Sequence, residues 1–322
     1  MLARPAHCIA PQRPAAVSRR AVVVRCEKKK VVVSGAGGRT GQLVVKKLLE
    51  QKDNFSVIAT VRSKGSAAKL TSAGLPESNL VEFDLAAAAA AAGSASNAAA
   101  AGLAAALNGA DALVIATSGV PQIKYLSLIP VILAKITGKE GVRPEFSWKQ
   151  GQQPEQIDWL GQKLQIDAAK AAGVKQVVLI SSMGGTDPNH PLNKLGDGNI
   201  LQWKRKAEQY LVSSGVPYTI IHPGGLIDEA GGSRQLLLGV DDKLLENNPR
   251  NIPRADVAAL AIGCIGLKEA LNKSFDAICA PAGQGSFSSD WAGVVGQLGG
   301  ASCDYSINSQ WADAELAAAA AK

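Results

Sequence analysis

Several absences narrow the reading before any motif does. The chain has five cysteines, Cys8, Cys26, Cys264, Cys279 and Cys303, with no C-x-x-C pair among them. The thiols are therefore read as reduced and mostly buried, and no metal site is expected. No run of 18 strongly apolar residues exists: the alanine run after Asp84 is weakly hydrophobic and broken by Gly, Ser and Asn, and YLSLIPVILAKI (125–136) is short and carries Pro130. A membrane span is not expected. Aromatic residues make up only 4% of the chain and form no stripe interleaved with basic residues, so no nucleic-acid partner is expected. Acidic residues are missing altogether from residues 1–26, which hold five arginines. Five of the seven net positive charges thus lie at the start, and the rest of the chain carries only +2. An Arg-, Ala- and Pro-rich, acid-free stretch without a continuous apolar core has the composition of an organelle transit peptide. The expectation is a plastid leader over 1–26 and a stromal location, with the mitochondrion second, followed by a single domain over 27–322.

The segment VVVSGAGGRTGQLVVKKLL (31–49) is the most informative. An apolar strand run ends in glycines at 35, 37, 38 and 41 and passes straight into a helical pattern through Leu43, Val44, Lys47 and Leu48. Small residues at G-x-x-G-x-x-G spacing let the chain turn sharply and bring backbone N–H groups onto a pyrophosphate at the positive end of a helix. Gly35, Gly38, Thr40 and Gly41 are candidate cofactor ligands. The next strand, SVIATV (56–61), ends in Arg62, about where an NAD-binding chain places an acid for the ribose 2′-hydroxyl. A guanidinium there suits a 2′-phosphate, and Arg39 is positioned to reach the same group. The expected cofactor is NADP(H).

Further strands at 79–85, 110–119, 175–182 and 217–226 alternate with an alanine-rich helix over 86–107, an amphipathic helix over about 155–173 and another over about 201–214. Strands apolar on both faces imply a parallel sheet covered on both sides, hence an α/β doubly wound fold. Loop-rich segments at 183–200, 226–250 and 282–322 are expected to form a small cap at the carboxyl edge. Ligands of such a sheet lie beyond the carboxyl ends of its strands. Those ends nominate Asp84 and Leu85 near the adenine, Thr117 and Ser118 beside ribose and phosphate, and Ser181, Ser182, His222, Pro223 and Gly224 further along. Asp256, in PRADVAAL, reads as a helix-start cap that pairs with Arg254.

The motifs SGAGGRTG, LISSMGG, WKRKAEQYL, HPGGL and PRADVA, in this order, resemble the short-chain dehydrogenase/reductase superfamily in its atypical NAD(P)-binding branch. The resemblance spans about residues 30 to 300. Residues 142–175 and 182–211 are similar to plastid-type members of ill-defined function. It implies a Rossmann-like fold and a serine, tyrosine and lysine as catalytic apparatus, the last two spaced Y-x-x-x-K. Ser182 takes the serine position and Lys204 the lysine position, which holds the nicotinamide ribose. Ile200 takes the tyrosine position, and isoleucine transfers no proton.

Substitute donors are His222 at a strand end, His190 and Asp187 in the GGTDPNHPLNKLGDGN loop, or water. Tyr210 reads as core. The expected function is reduction of a small apolar carbonyl or quinone-like plastid metabolite, with a non-catalytic NADP(H)-binding sensor or assembly factor as the alternative. Residues 121–141 are too apolar for a solvated loop. They are read as a lid, with Tyr125, Leu128 and Ile132 facing the cleft, or as a peripheral docking face.

Overall fold

The computed structural model describes residues 27–91, 98–139 and 141–307; the expected leader lies outside them. Among the described residues twelve strands run in chain order: β1 (Lys29–Ser34), β2 (Phe55–Val61), β3 (Leu80–Glu82), β4 (Ala112–Ile115), β5 (Gln122–Ile123), β6 (Phe146–Ser147), β7 (Gln176–Ile180), β8 (Tyr218–Pro223), β9 (Gly225–Ile227), β10 (Leu236–Gly239), β11 (Asn251–Pro253) and β12 (Lys273–Cys279). The helices are α1 (Arg39–Glu50), α2 (Lys64–Thr71), α3 (Leu85–Ala90), α4 (Ala98–Leu107), α5 (Leu128–Thr137), α6 (Gln162–Ala171), α7 (Ile200–Ser213), α8 (Arg254–Gly263) and α9 (Trp291–Gly296).

Eight strands form one sheet in the order β10-β12-β8-β7-β4-β1-β2-β3. All its pairings are parallel except β10 with β12 at the edge. The strand order reverses between β1 and β4, and that switch point opens a crevice at the carboxyl edge. Val31 and Val33 enter one core, with α1, α8 and α9 residues, while Val32 enters the other, with α3, α4, α6 and α7 residues. Burial on both faces is why β1 reads as an unbroken valine run.

Three elements differ from the sequence reading. The alanine-rich stretch is two described helices, α3 and α4, rather than one. Helix α6 is preceded by a wider π-helical stretch, Glu155–Gly161, where Asp158 and Trp159 turn inward. The cap is not loop alone, since β9 and β11 pair in parallel and β10 joins the main sheet.

Candidate functional site: a dinucleotide cleft with an apolar wall

The glycine loop has the shape the spacing predicts. Gly35 sits at φ +74°, and a Cβ there would come within 2.8 Å of the Ala116 backbone at the end of β4. A Cβ on Gly41 would overlap the Gly35 carbonyl oxygen, while Gly38 N–H donates to Gly35 O at 2.9 Å. No side chain caps α1, and its internal ladder begins with Gln42 N–H donating to Gly38 O. The N–H groups of Arg39, Thr40 and Gly41 are the helix's orphan donors, at its positive end. This cradle fits a pyrophosphate.

Arg62 is exposed at the end of β2. The start of α2 abuts the loop, for a Cβ on Gly37 would come within 2.7 Å of Ser66 Cβ. The second expected phosphate ligand is engaged elsewhere: Arg39 Nη1 pairs with Asp228 at 2.8 Å, both side chains being well exposed. Asp228 also holds Arg254, at 2.7 Å. At the adenine end, Asp84 commits one carboxylate oxygen to its own helix. Its Oδ1 accepts from Ala86 N–H and Ala87 N–H at 3.0 and 3.2 Å and caps α3. The Leu85 side chain is core, packed against Gly161. Asp256 is corrected too. Its Oδ1 accepts from Gly232 N–H at 2.6 Å, so it ties down a loop of the cap instead of capping its own helix or pairing with Arg254.

Beyond the loop lies a cleft of about 750 Å³ that Thr40, Thr117, Ser118, Ser182, Lys204, Pro223 and Gly224 all line. Most of its wall is apolar, supplied by Trp148, Met183, Leu192, Leu195, Ile200 and Leu226 among others. Ile200, at the tyrosine position, faces this cleft. Lys204 Nζ lies 2.7 Å from Asp158 Oδ1, both side chains being buried. Asp158 Oδ2 in turn accepts from Gly119 N–H at 2.9 Å. This carboxylate therefore fixes the loop after β4 and the lysine together, and it leaves two of the ammonium's three donors for a ribose. Ser182 Oγ donates to Met183 O at 3.1 Å.

The two described histidines have opposite surroundings. His222 does not line the cleft. It is buried with Nε2 3.2 Å from Glu208 Oε2 and Nδ1 3.2 Å from Asp276 Oδ1. Burial alone would push its pKa down. The charge of Glu208, with hydrogen bonds to Asp276, Cys303 and Glu208, outweighs this and holds it well above the ordinary 6.5. Burial likewise works to raise Glu208, but the charge and hydrogen bond of His222, with Ser181 and Arg205, hold it below the ordinary carboxylate range. His222 is held between two buried carboxylates away from the cleft, a structural position that replaces the expected catalytic one. His190 is half-buried on the cleft wall. Its Nδ1 accepts from Leu192 N–H at 3.3 Å, which leaves Nε2 as the protonated nitrogen. Tyr210 is core, edge-on to Trp159 and bonded to Asp167.

The lid is also corrected. None of Tyr125, Leu128 and Ile132 lines the cleft, and Tyr125 is 83% exposed. The excursion is pinned at its base, where β5 pairs with β6 and Ser127 Oγ accepts from Glu145 N–H at 2.8 Å. Its helix α5 therefore stands off the domain and buries only Ala134.

Three site residues escaped the sequence reading. Asp158 shares its helical stretch with Glu155, and Glu208 is the one acid of α7; burial alone distinguishes them. Trp148 donates through Nε1 to Leu195 O and Gly196 O, both at 3.1 Å, and so holds the 190s loop over the cleft.

An open parallel sheet with a glycine cradle at its switch point defines a nicotinamide-dinucleotide-binding protein of the Rossmann type. The sequence profile of the NAD(P)H-binding family matches residues 35–267, and the chain belongs to that family. It is 48% identical to an uncharacterised chloroplastic protein of Arabidopsis thaliana over 83% of this chain and 75% of that one. It is 44% identical to sanguinarine reductase of Eschscholzia californica over 84% of this chain and 97% of that one. A putative NAD-dependent epimerase/dehydratase from Bacillus halodurans shares the fold, with a TM-score of 0.59 at 22% identity, covering 84% of this chain and all of that one. The protein is reductase-like in family and fold.

Proposed function

We propose that the protein is an NADPH-dependent reductase of a small, apolar carbonyl or quinone-like compound in the plastid. The observation that carries this reading is the cleft of about 750 Å³, apolar on most of its wall, that opens from the nucleotide cradle. NADPH, when bound, supplies a hydride to the acceptor. The glycine loop and the start of α1 hold the pyrophosphate, Arg62 the 2′-phosphate, and Lys204 a ribose hydroxyl. The apolar wall excludes water and orders a flat acceptor. His190 Nε2–H donates a hydrogen bond to the acceptor oxygen as it gains charge, and the proton itself comes from water, to which the loop is partly open. The likeness to sanguinarine reductase supports reduction of a conjugated acceptor, and the chloroplastic relative supports the plastid.

A second reading, a non-catalytic NADP(H)-binding sensor or assembly factor, draws on Ile200 at the tyrosine position. NADPH oxidation measured against a panel of quinones and conjugated carbonyls separates the two. Turnover supports the reductase, whereas tight NADPH binding with no turnover across the panel supports the sensor.

A further inference from the structure

We propose that the excursion built round α5 is an anchor for an anionic lipid surface. Its apolar residues are unpartnered and form a stripe. Leu126, Ile129, Leu133 and Ile136 are 81%, 55%, 56% and 76% exposed, and Tyr125 and Ile132 extend the same face at helical spacing. A continuous exposed aliphatic face of this kind marks a binding surface. Its charges name the occupant. Lys135 borders the stripe in the last turn of α5, and Lys139 and Arg143 follow just past its C-cap Gly138, all exposed and without a charged partner among the described residues. Lys124 is paired with Glu145 at 3.2 Å.

An apolar helix face edged by lysines lies in a bilayer interface with its side chains in the acyl boundary and its ammonium groups at lipid phosphates. A second copy is disfavoured, because pairing two such faces brings the lysine edges together with no free described acid to meet them. The excursion leaves the domain at Pro121 and returns at Trp148, and both line the cleft. Docking therefore sets the cleft mouth at the bilayer. That substrate enters from the lipid is a consequence which, unlike the anchor itself, rests on the reductase reading.

The test is co-sedimentation of the full chain with vesicles of phosphatidylcholine, with and without phosphatidylglycerol. The parent is expected to bind the anionic vesicles preferentially. Leu126→Ser/Ile129→Ser/Leu133→Ser/Ile136→Ser should lose at least about tenfold in vesicle affinity. Lys135→Glu/Lys139→Glu should lose a similar factor on anionic vesicles only. Unchanged NADPH affinity in both variants checks that they fold. A local readout excludes binding through the arginine-rich start of the chain: in Tyr125→Trp, the added indole emission should shift to the blue on anionic vesicles. No shift, or equal binding by parent and stripe variant, overturns the anchor. So does a concentration-dependent dimer of the parent, seen by sedimentation velocity without vesicle binding and abolished in the stripe variant.

Discussion

Ile200 stands at the tyrosine position and transfers no proton; in the proposed reaction water supplies it, and His190, whose Nδ1 accepts from Leu192 N–H, offers Nε2–H as a hydrogen-bond donor to the acceptor oxygen. His190→Phe should lower kcat roughly a hundredfold, the cost of losing one hydrogen-bond donor to a developing oxyanion, and leave NADPH affinity unchanged. Stopped-flow turnover with any substrate found checks it; an unaltered kcat means that His190 does not touch the acceptor. His222 acts on stability instead. Its replacement by Leu leaves Glu208 and Asp276 buried without their shared cation and should cost about 3–5 kcal/mol in denaturant unfolding. The pH dependence follows from the raised pKa. The contribution of His222 is complete below about 6.5 and is lost as pH rises through the higher folded value. The stability gap between wild type and His222→Leu should therefore narrow toward alkaline pH. A gap constant across that range would show that His222 is not charged in the fold.

At the scale of elements, the glycine loop was legible because its demands are local. A positive φ at Gly35 and the overlap that a Gly41 side chain would meet are both set within a few residues. Gly35→Ala combines backbone strain with displacement of the β4 end, and it should weaken NADPH at least about tenfold while circular dichroism keeps its helical signal. Unchanged affinity would separate the loop from cofactor binding. Strands β1, β2, β4, β7 and β8 were legible for the same kind of reason, since burial on both faces writes itself as apolar runs. The split of the alanine-rich stretch was missed although Gly93, Ser94, Ser96 and Asn97 interrupt it, because the high helix propensity of alanine on either side reads as one continuous helix. The stance of α5 was also hidden. Its apolar face matches that of a buried helix, and only the β5–β6 pairing at its base shows that it is held outward.

Across the whole molecule, the site depends on pairings between distant segments. Asp158 and Lys204 meet across 46 residues of chain, Glu208 reaches His222 from a helix to a strand, and Asp228 gathers Arg39 and Arg254. Spacing cannot announce such partners, so the sequence reading found the cradle and the cleft's polar rim but misassigned Asp256 and His222. The proposal that the nicotinamide cofactor is NADPH rests on the loop and on Arg62, at the ends of neighbouring strands. Calorimetric titration of NADPH and NADH into wild type and Arg62→Ala tests it most directly. The account predicts tighter NADPH binding in wild type, and a loss of roughly 1.5–3 kcal/mol for NADPH with almost none for NADH in the variant. Equal losses for both nucleotides, or NADH bound as tightly as NADPH by the wild type, would contradict it.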